Sequence, residues 1–586
     1  MKAAKKSDIF VRLLRSRTLS LALLPMSDKF AGGPSFKDQE EGSFRRAILG
    51  LIPWRSFGAL RCLPQSLQLE RKMTGQTRPF ALAFFSFVTM ALLATPVPAW
   101  AQVTVIAVPP GGDLQGAINR AAAIVNGPTP TDVLIEVAPG TYVPTAFPGF
   151  EVSGINSLQF TVTLQSDQGP AATVIDASNV ANNGIRGFGT RNFVVDGFTI
   201  RNRIPDQTNF VGRGILMRNA TGITVQHCHF DTTGQGTQFP ITDPTFSSHI
   251  SVVNNTGIVG QGTDVSAPGF VEAQAASVVL SFPLGASETG ESRFVVADNV
   301  FRCTASCVRY INQALDANGN IVAVFSNGSL VMTGNDVSSS FVAGFNIIGG
   351  HAHVISGNRI HDGNTGGFFQ GAVSGVIENN VIFNNAEHAL IADDAPIPQE
   401  FPGEDRVIRH NTIVNNSGTG IVYIGSIATQ AFLPNVYNNI IAFNDAGGVS
   451  SVVQTASTFA FIPVSFNLAK NDNYGNTLRN FSASFSNFNY IGISNPGAAA
   501  PDYSGVINTG LDLSVVPGFN APQFQDFSLM PHSMLVNAGV TSRPTPFQDL
   551  AGHLRDAQPD IGAFEVVPTP VINVRSNPLR KGPKDQ

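Results

Sequence analysis

The sequence predicts an all-β solenoid, a parallel β-helix, and three observations carry that expectation. An asparagine recurs in one fixed context, short apolar runs alternate with period two, and glycine and asparagine cut each run. Aligned on the asparagine, the copies read VVADNVF at Asn299, VMTGNDV at Asn335, VISGNRI at Asn358, VIENNVI at Asn380, VIRHNTI at Asn411 and VYNNII at Asn439. Earlier, VVDGFTI and TVQHCHF put Phe198 and Cys228 in that column.

Neighbouring asparagines from Asn299 onward stand 22 to 36 residues apart, within the range of roughly 20–50 residues that marks solenoids and arrays. No unit carries a period-3.6 apolar pattern long enough for a helix, so helical repeats fail. The shortest unit fits three short strands and their turns, one coil of a β-helix. Coils stack about 4.8 Å apart. An asparagine at one inward turn then bonds the asparagines above and below, which satisfies its buried amide and locks the register. Longer units are the same coil with a loop at one corner, and such loops build a binding face.

Gly111–Val125, GGDLQGAINRAAAIV, spaces Leu114, Ile118, Ala121, Ala122 and Val125 for an amphipathic helix over the first coil. DVLIEVAPGTYV then reads as strand, Pro-Gly turn, strand. Between Gln102 and Glu565 the only lysine is Lys470.

DLQGAIN and IEVAPGTYV followed by asparagine-centred coils resemble the right-handed parallel β-helix proteins of the pectin lyase-like superfamily. DLAGHLRDAQPDIGAFE, Asp549–Glu565, resembles the segment that closes the solenoid in a subgroup of secreted bacterial β-helix proteins, and FSLMPHSMLVNAG, Phe527–Gly539, resembles a final coil. The resemblance implies a single-stranded right-handed parallel β-helix with an N-terminal capping helix over residues 102–567, and a disordered tail at 568–586. It names no reaction, because the superfamily includes lyases, hydrolases, epimerases and adhesins.

From Met73 the chain has a basic flank at Arg78, an apolar run from Pro79 to Ala94, and the small-x-small triplet Ala99-Trp100-Ala101. This pattern reads as a signal peptide over 73–101, not a membrane span. Residues 1–72 then read as a non-native leader from an upstream start, or as disordered. The expected location is secreted, periplasmic or cell-surface. Without residues 1–101 the chain keeps 21 basic and 35 acidic residues, a net charge of −14. That charge excludes nucleic acid as a partner. It also requires a local arginine or a divalent cation to hold an anionic polymer. The expected partner is a polysaccharide and the expected state a monomer with no membrane span after cleavage.

Three cysteines remain, Cys228, Cys303 and Cys307. An oxidising compartment permits Cys303–Cys307 to pair; three buried thiols are the alternative.

Distance from the ladder asparagine places Arg309, Asn346, Gln370 and Asp393 in the same stretch of one sheet on four consecutive coils. A strip of this kind suits a polysaccharide groove of about 14 Å. For lysis of a uronate polymer, Arg309 neutralises the substrate carboxylate and His388 is the candidate base, with Asp393 as third catalytic candidate. Glu387, Asp394, Glu404 and Asp405 are candidate oxygen ligands for Ca²⁺. For hydrolysis, Asp393 with Glu387, or Asp394 with Asp362, supplies two carboxylates. Asn346, Gln370 and Asp362 are candidate binding residues. Of the hydrolase pattern of Asp, Asp-Asp, Gly-His-Gly and Arg-Ile-Lys, the chain has only the Asp393-Asp394 pair. The rival class is a non-catalytic adhesin or envelope β-helix. GGHAH, Gly349–His353, reads as an exposed turn, and His227 and His229 as a same-facing solvated pair.

Overall fold

The computed structural model describes residues 103–567 except 146–148, 179–182, 205–211, 243–246, 260–276, 283–291, 316–320, 325–327, 340, 371–373, 394–405, 427–434, 446, 455–466, 470, 477–480, 486–488, 493–512 and 543. The leader, the signal segment and the 568–586 tail lie outside the described residues.

Each coil visits three sheets in turn. The first sheet has 13 strands, from Val103–Val108 to Asn467–Ala469; the second has 12, from Gly140–Tyr142 to Asp472–Tyr474; the third has 14, from Phe150–Glu151 to Asn489–Gly492. Strands stack in parallel along each sheet, apart from the antiparallel pair that ends the third and the side strand Ile321–Val324, which pairs antiparallel with Val308–Leu315. Inward residues alternate with outward ones, as in Val162–Ser166, where Val162 and Leu164 are fully buried. One hydrophobic core runs the length of the solenoid. Inside it Phe294, Tyr310, His353 and Phe369 contact edge to face, with successive centroids 5.8, 5.0 and 5.9 Å apart.

The asparagine column stands where the first sheet turns into the second. Asn255, Asn299, Asn335, Asn358, Asn380, Asn411, Asn439 and Asn471 form an unbroken ladder, each Nδ2 donating to the next Oδ1 at 2.8–3.0 Å. Each Oδ1 after the first also accepts the backbone N–H of the asparagine below, and each Nδ2 also donates to a carbonyl of the preceding coil, as from Asn380 to Ile355. Cys228 opens the ladder by donating its N–H to Asn255. The residue before each ladder position from Asn255 to Asn439 has a positive φ: Asn254, Asp298, Gly334, Gly357, Asn379, His410 and Asn438. Only glycine and short polar side chains enter that region readily, which explains the recurring Gly-Asn, Asn-Asn, Asp-Asn and His-Asn pairs.

A second ladder, Asn385, Asn416, Asn444 and Asn476, runs five residues later at the turn into the third sheet. The helix α1, Leu114–Val125, forms as expected; Asp113 caps it and Leu114, Ala117, Ile118, Ala121 and Val125 are buried in the solenoid core. Cys303 and Cys307 are joined in a disulfide, and Cys228 is a buried thiol pushed up to about 12 by that burial.

The C-terminal segment corrects the sequence reading. Leu513 still bridges in parallel to Asp472, but Phe527–Gly539 adds no strand to the three sheets. Phe519, Phe527, Leu529, Leu535, Ile561 and Ala563 instead pack sideways on Val381, Phe383, Val414, Ile440 and Ala442, the outer face of the second sheet. Ala563 N–H donates to Thr412 Oγ1 at 3.0 Å. The closing motif builds its own buried network. Arg555 pairs with Glu565 at 3.0 Å, Glu565 N–H donates to Asp549, and Asp560 accepts the amides of Asn537 and Val566.

Candidate functional site on the third sheet

The third sheet carries the predicted strip, in two columns rather than one. Arg309 and Asn346 are register partners on neighbouring strands. Their column continues through Phe368, Ile391 and Val422. Gln370 pairs with Asp393 two residues further along, in a column that begins at Ile311 and Ile348. Parity puts Arg309, Asn346, Ile348, Phe368, Ile391 and Val422 on the outward face, because Tyr310, Ile347 and Phe369 between them are core residues. Counting offsets from the asparagine located the sheet but not this two-residue slip: Arg309, Asn346, Phe368 and Ile391 all stand 10 or 11 residues after their ladder asparagines, while Gln370 and Asp393 stand 12 and 13 after theirs.

The face is also less polar than expected. Ile348, Ile391 and Val422 point away from the core, yet they and Asn346 are only 4–6 % exposed. Arg309 is half-buried among them. A guanidinium so sheltered interacts with a carboxylate more strongly than one in open water.

The remaining candidates stand elsewhere. Asp362 takes a positive φ at the turn from the second sheet to the third, where it bonds His361 at 2.8 Å and accepts from Asn384 at 3.2 Å. It belongs to the corner and not to the strip. Glu387 and His388 occupy the same corner one coil on. Glu387 N–H donates to the Asn364 carbonyl, and burial raises its carboxyl above the ordinary range against a hydrogen bond from the Asn364 side chain. His388 Nδ1 accepts the Thr419 N–H at 2.9 Å, and burial holds the ring down to about 4. The ring is therefore neutral with its proton on Nε2, leaving no free lone pair for a base.

Asp394, Glu404 and Asp405 lie outside the described residues. Among the described residues no group of three or more His, Cys, Asp or Glu side chains could hold a metal. His353 of GGHAH is buried, not exposed: Nδ1 accepts Leu330 N–H and Nε2 bonds the Gly349 carbonyl. His227 bonds Asp196, and His229 bonds Thr256.

The family model for the right-handed β-helix region matches residues 304–462, the coils that carry Arg309 to Asp393. The fold of the described residues is a parallel β-helix, and the matched stretch is of the right-handed kind. No curated protein sequence matches it. Solved structures similar to this β-helix include the mannuronan C-5 epimerase AlgE6 A-module of Azotobacter vinelandii, at 14% identity over 69% of this chain and 94% of that one, TM-score 0.34. The surface protein and adhesin PfbA of Streptococcus pneumoniae is 12% identical over 63% and 95%, TM-score 0.37. The alginate lyase from Paenibacillus sp. is 13% identical over 65% and 99%, TM-score 0.29. Among the described residues of the β-helix no helix is long and apolar enough to cross a membrane.

Proposed function

We propose that this β-helix is an exported protein that binds an anionic polysaccharide on the outer face of its third sheet. The observation that carries the reading is the Arg309–Asn346 register pair on that face. A guanidinium forks onto a carboxylate, and an amide beside it both donates to and accepts from a hydroxyl. Gln370 and Asp393 are register partners on the two rungs after Asn346, two residues further along their strands. The signal-type segment at 73–101 supports export to the periplasm or the cell surface.

Binding is favoured over cleavage. A lyase needs a base beside the neutralised carboxylate, and the His388 ring, neutral and bonded through Nδ1 to Thr419, is spent on the corner. Ca²⁺ held by Glu387 with Asp394, Glu404 and Asp405 stays a proposal for the loop after the Asp393 strand.

Affinity electrophoresis of the purified protein in gels containing polyuronate tests the reading, with ultraviolet absorbance followed for unsaturated ends. Retardation without new ends is the expected result. Unretarded migration rejects the binding function, and accumulating unsaturated ends replaces it with a lyase.

A further inference from the structure

The outer face of the third sheet narrows to one opening. In the Arg309–Asn346 column, Val279 stands one rung before Arg309 and is 1 % exposed; Ile391 and Val422, two and three rungs after Asn346, are 4 % and 6 % exposed. Arg309, Ile311 and Phe368 keep the exposure, each of them half-buried. A polymer laid along the solenoid axis would have to contact covered side chains on both sides, so this column does not carry one.

Gln313 stands on the same face, four residues beyond Arg309 on the strand Val308–Leu315. Parity turns it outward, because Tyr310 and Asn312 are fully buried on the other side of that strand. Gln313 is 9 % exposed, and its Oε1 is buried with no hydrogen-bond partner among the described residues. A buried amide oxygen almost always accepts a hydrogen bond, so this acceptor waits on a donor that the chain around it does not supply. Four residues of strand set the two Cα atoms about 13 Å apart. Two long side chains reaching in from either end leave space between them for about one sugar ring, over Ile311.

We infer that this opening takes one terminal uronate of a chain, set along the strand and across the solenoid axis. Arg309 and Asn346 hold its carboxylate, its C–H face rests on Ile311 with Ile348 in register beside it, and Gln313 Oε1 accepts one of its hydroxyls. The inference rests on the Arg309 reading and narrows it from a strip of polymer to a chain end. Retardation in a polyuronate gel then follows the number of chain ends and not the mass of polymer.

Calorimetric titration with a uronate disaccharide, tetramer and hexamer tests it. Affinity per chain should agree within about threefold across the three, because each chain offers one end of the right kind. Gln313→Leu removes an unpaired buried acceptor at similar volume, so it should keep or raise the thermal melt and still weaken binding roughly tenfold. Affinity that climbs further with chain length overturns the inference and leaves the Arg309 reading standing. So does unchanged binding in folded Gln313→Leu. Failure of all three chains to bind rejects the Arg309 reading itself, and the inference with it.

Discussion

Arg555 donates a hydrogen bond of 2.9 Å to Oδ1 of Asn379, 176 residues earlier in the chain. Asn379 holds the left-handed turn before ladder residue Asn380, so the closing motif grips the solenoid at the turn that sets its register. The same guanidinium donates to Gly562 O and pairs with Glu565, and the two side chains are 1 % and 4 % exposed. Arg555→Ala leaves a buried carboxylate without its partner and should cost about 3–5 kcal/mol in urea unfolding. Limited proteolysis should then cut within 513–567 before the coils. Stability within error of wild type would refute the clasp.

The ladder predicts a large penalty at one asparagine and a small one at its neighbour. Asn380 accepts from Asn358 and donates to Ile355 O and Asn411 Oδ1. Asn380→Ala strands those buried groups and should cost about 3 kcal/mol. Asn384, exposed at the next turn, should lose under about 1 kcal/mol on mutation to glycine, which accepts the same positive φ. Urea midpoints measure both, and equal losses would contradict the ladder.

His361 gives the protein a pH dependence of known sign. Burial alone would lower its pKa, but the bonds to Asp336 and Asp362 outweigh burial and raise it above 6.5. Its contribution is therefore complete below about pH 6.5 and lost as pH rises through the raised value. Asp336 runs the other way. Burial alone would raise it, yet hydrogen bonds from His361 and Arg302 hold it at about 2, so its contribution is present above 3.8 and lost as pH falls toward 2. Thermal melts should decline as pH climbs from 6 to 9, and His361→Gln should flatten that limb. A variant with the wild-type slope would assign the pH dependence elsewhere.

His388→Asn should keep an acceptor for Thr419 N–H and preserve the fold and polyuronate binding. His388→Leu removes the acceptor and should cost about 1–3 kcal/mol in urea unfolding. Loss of binding in the well-folded asparagine variant would return the residue to the binding site.

How far the sequence reads into the structure depends on what each feature rests on. The ladder from Asn299 to Asn439 is local: a left-handed residue, then an asparagine, between two aliphatic pairs. Its extension to Asn255 obeys the same rule in VVNNTGI. The second ladder was also visible, as the asparagine five residues on in NNVIFNN. The lateral course of Asp549–Glu565 was not, because a buried Arg555–Glu565 pair and an apolar side patch look alike on a last coil and on a clasp. The two-column form of the Arg309 strip escaped because outward positions recur every two residues, so polar residues 10–13 positions after the asparagine share a face without sharing a column.

The central claim is that Arg309 and Asn346 hold a polyuronate. Calorimetric titration of a uronate hexamer into the wild type and into Arg309→Gln tests it most directly. The account predicts saturable binding that weakens roughly tenfold or more in the variant, as loss of a sheltered charge-assisted pair requires. Equal affinity in both folded proteins would contradict it.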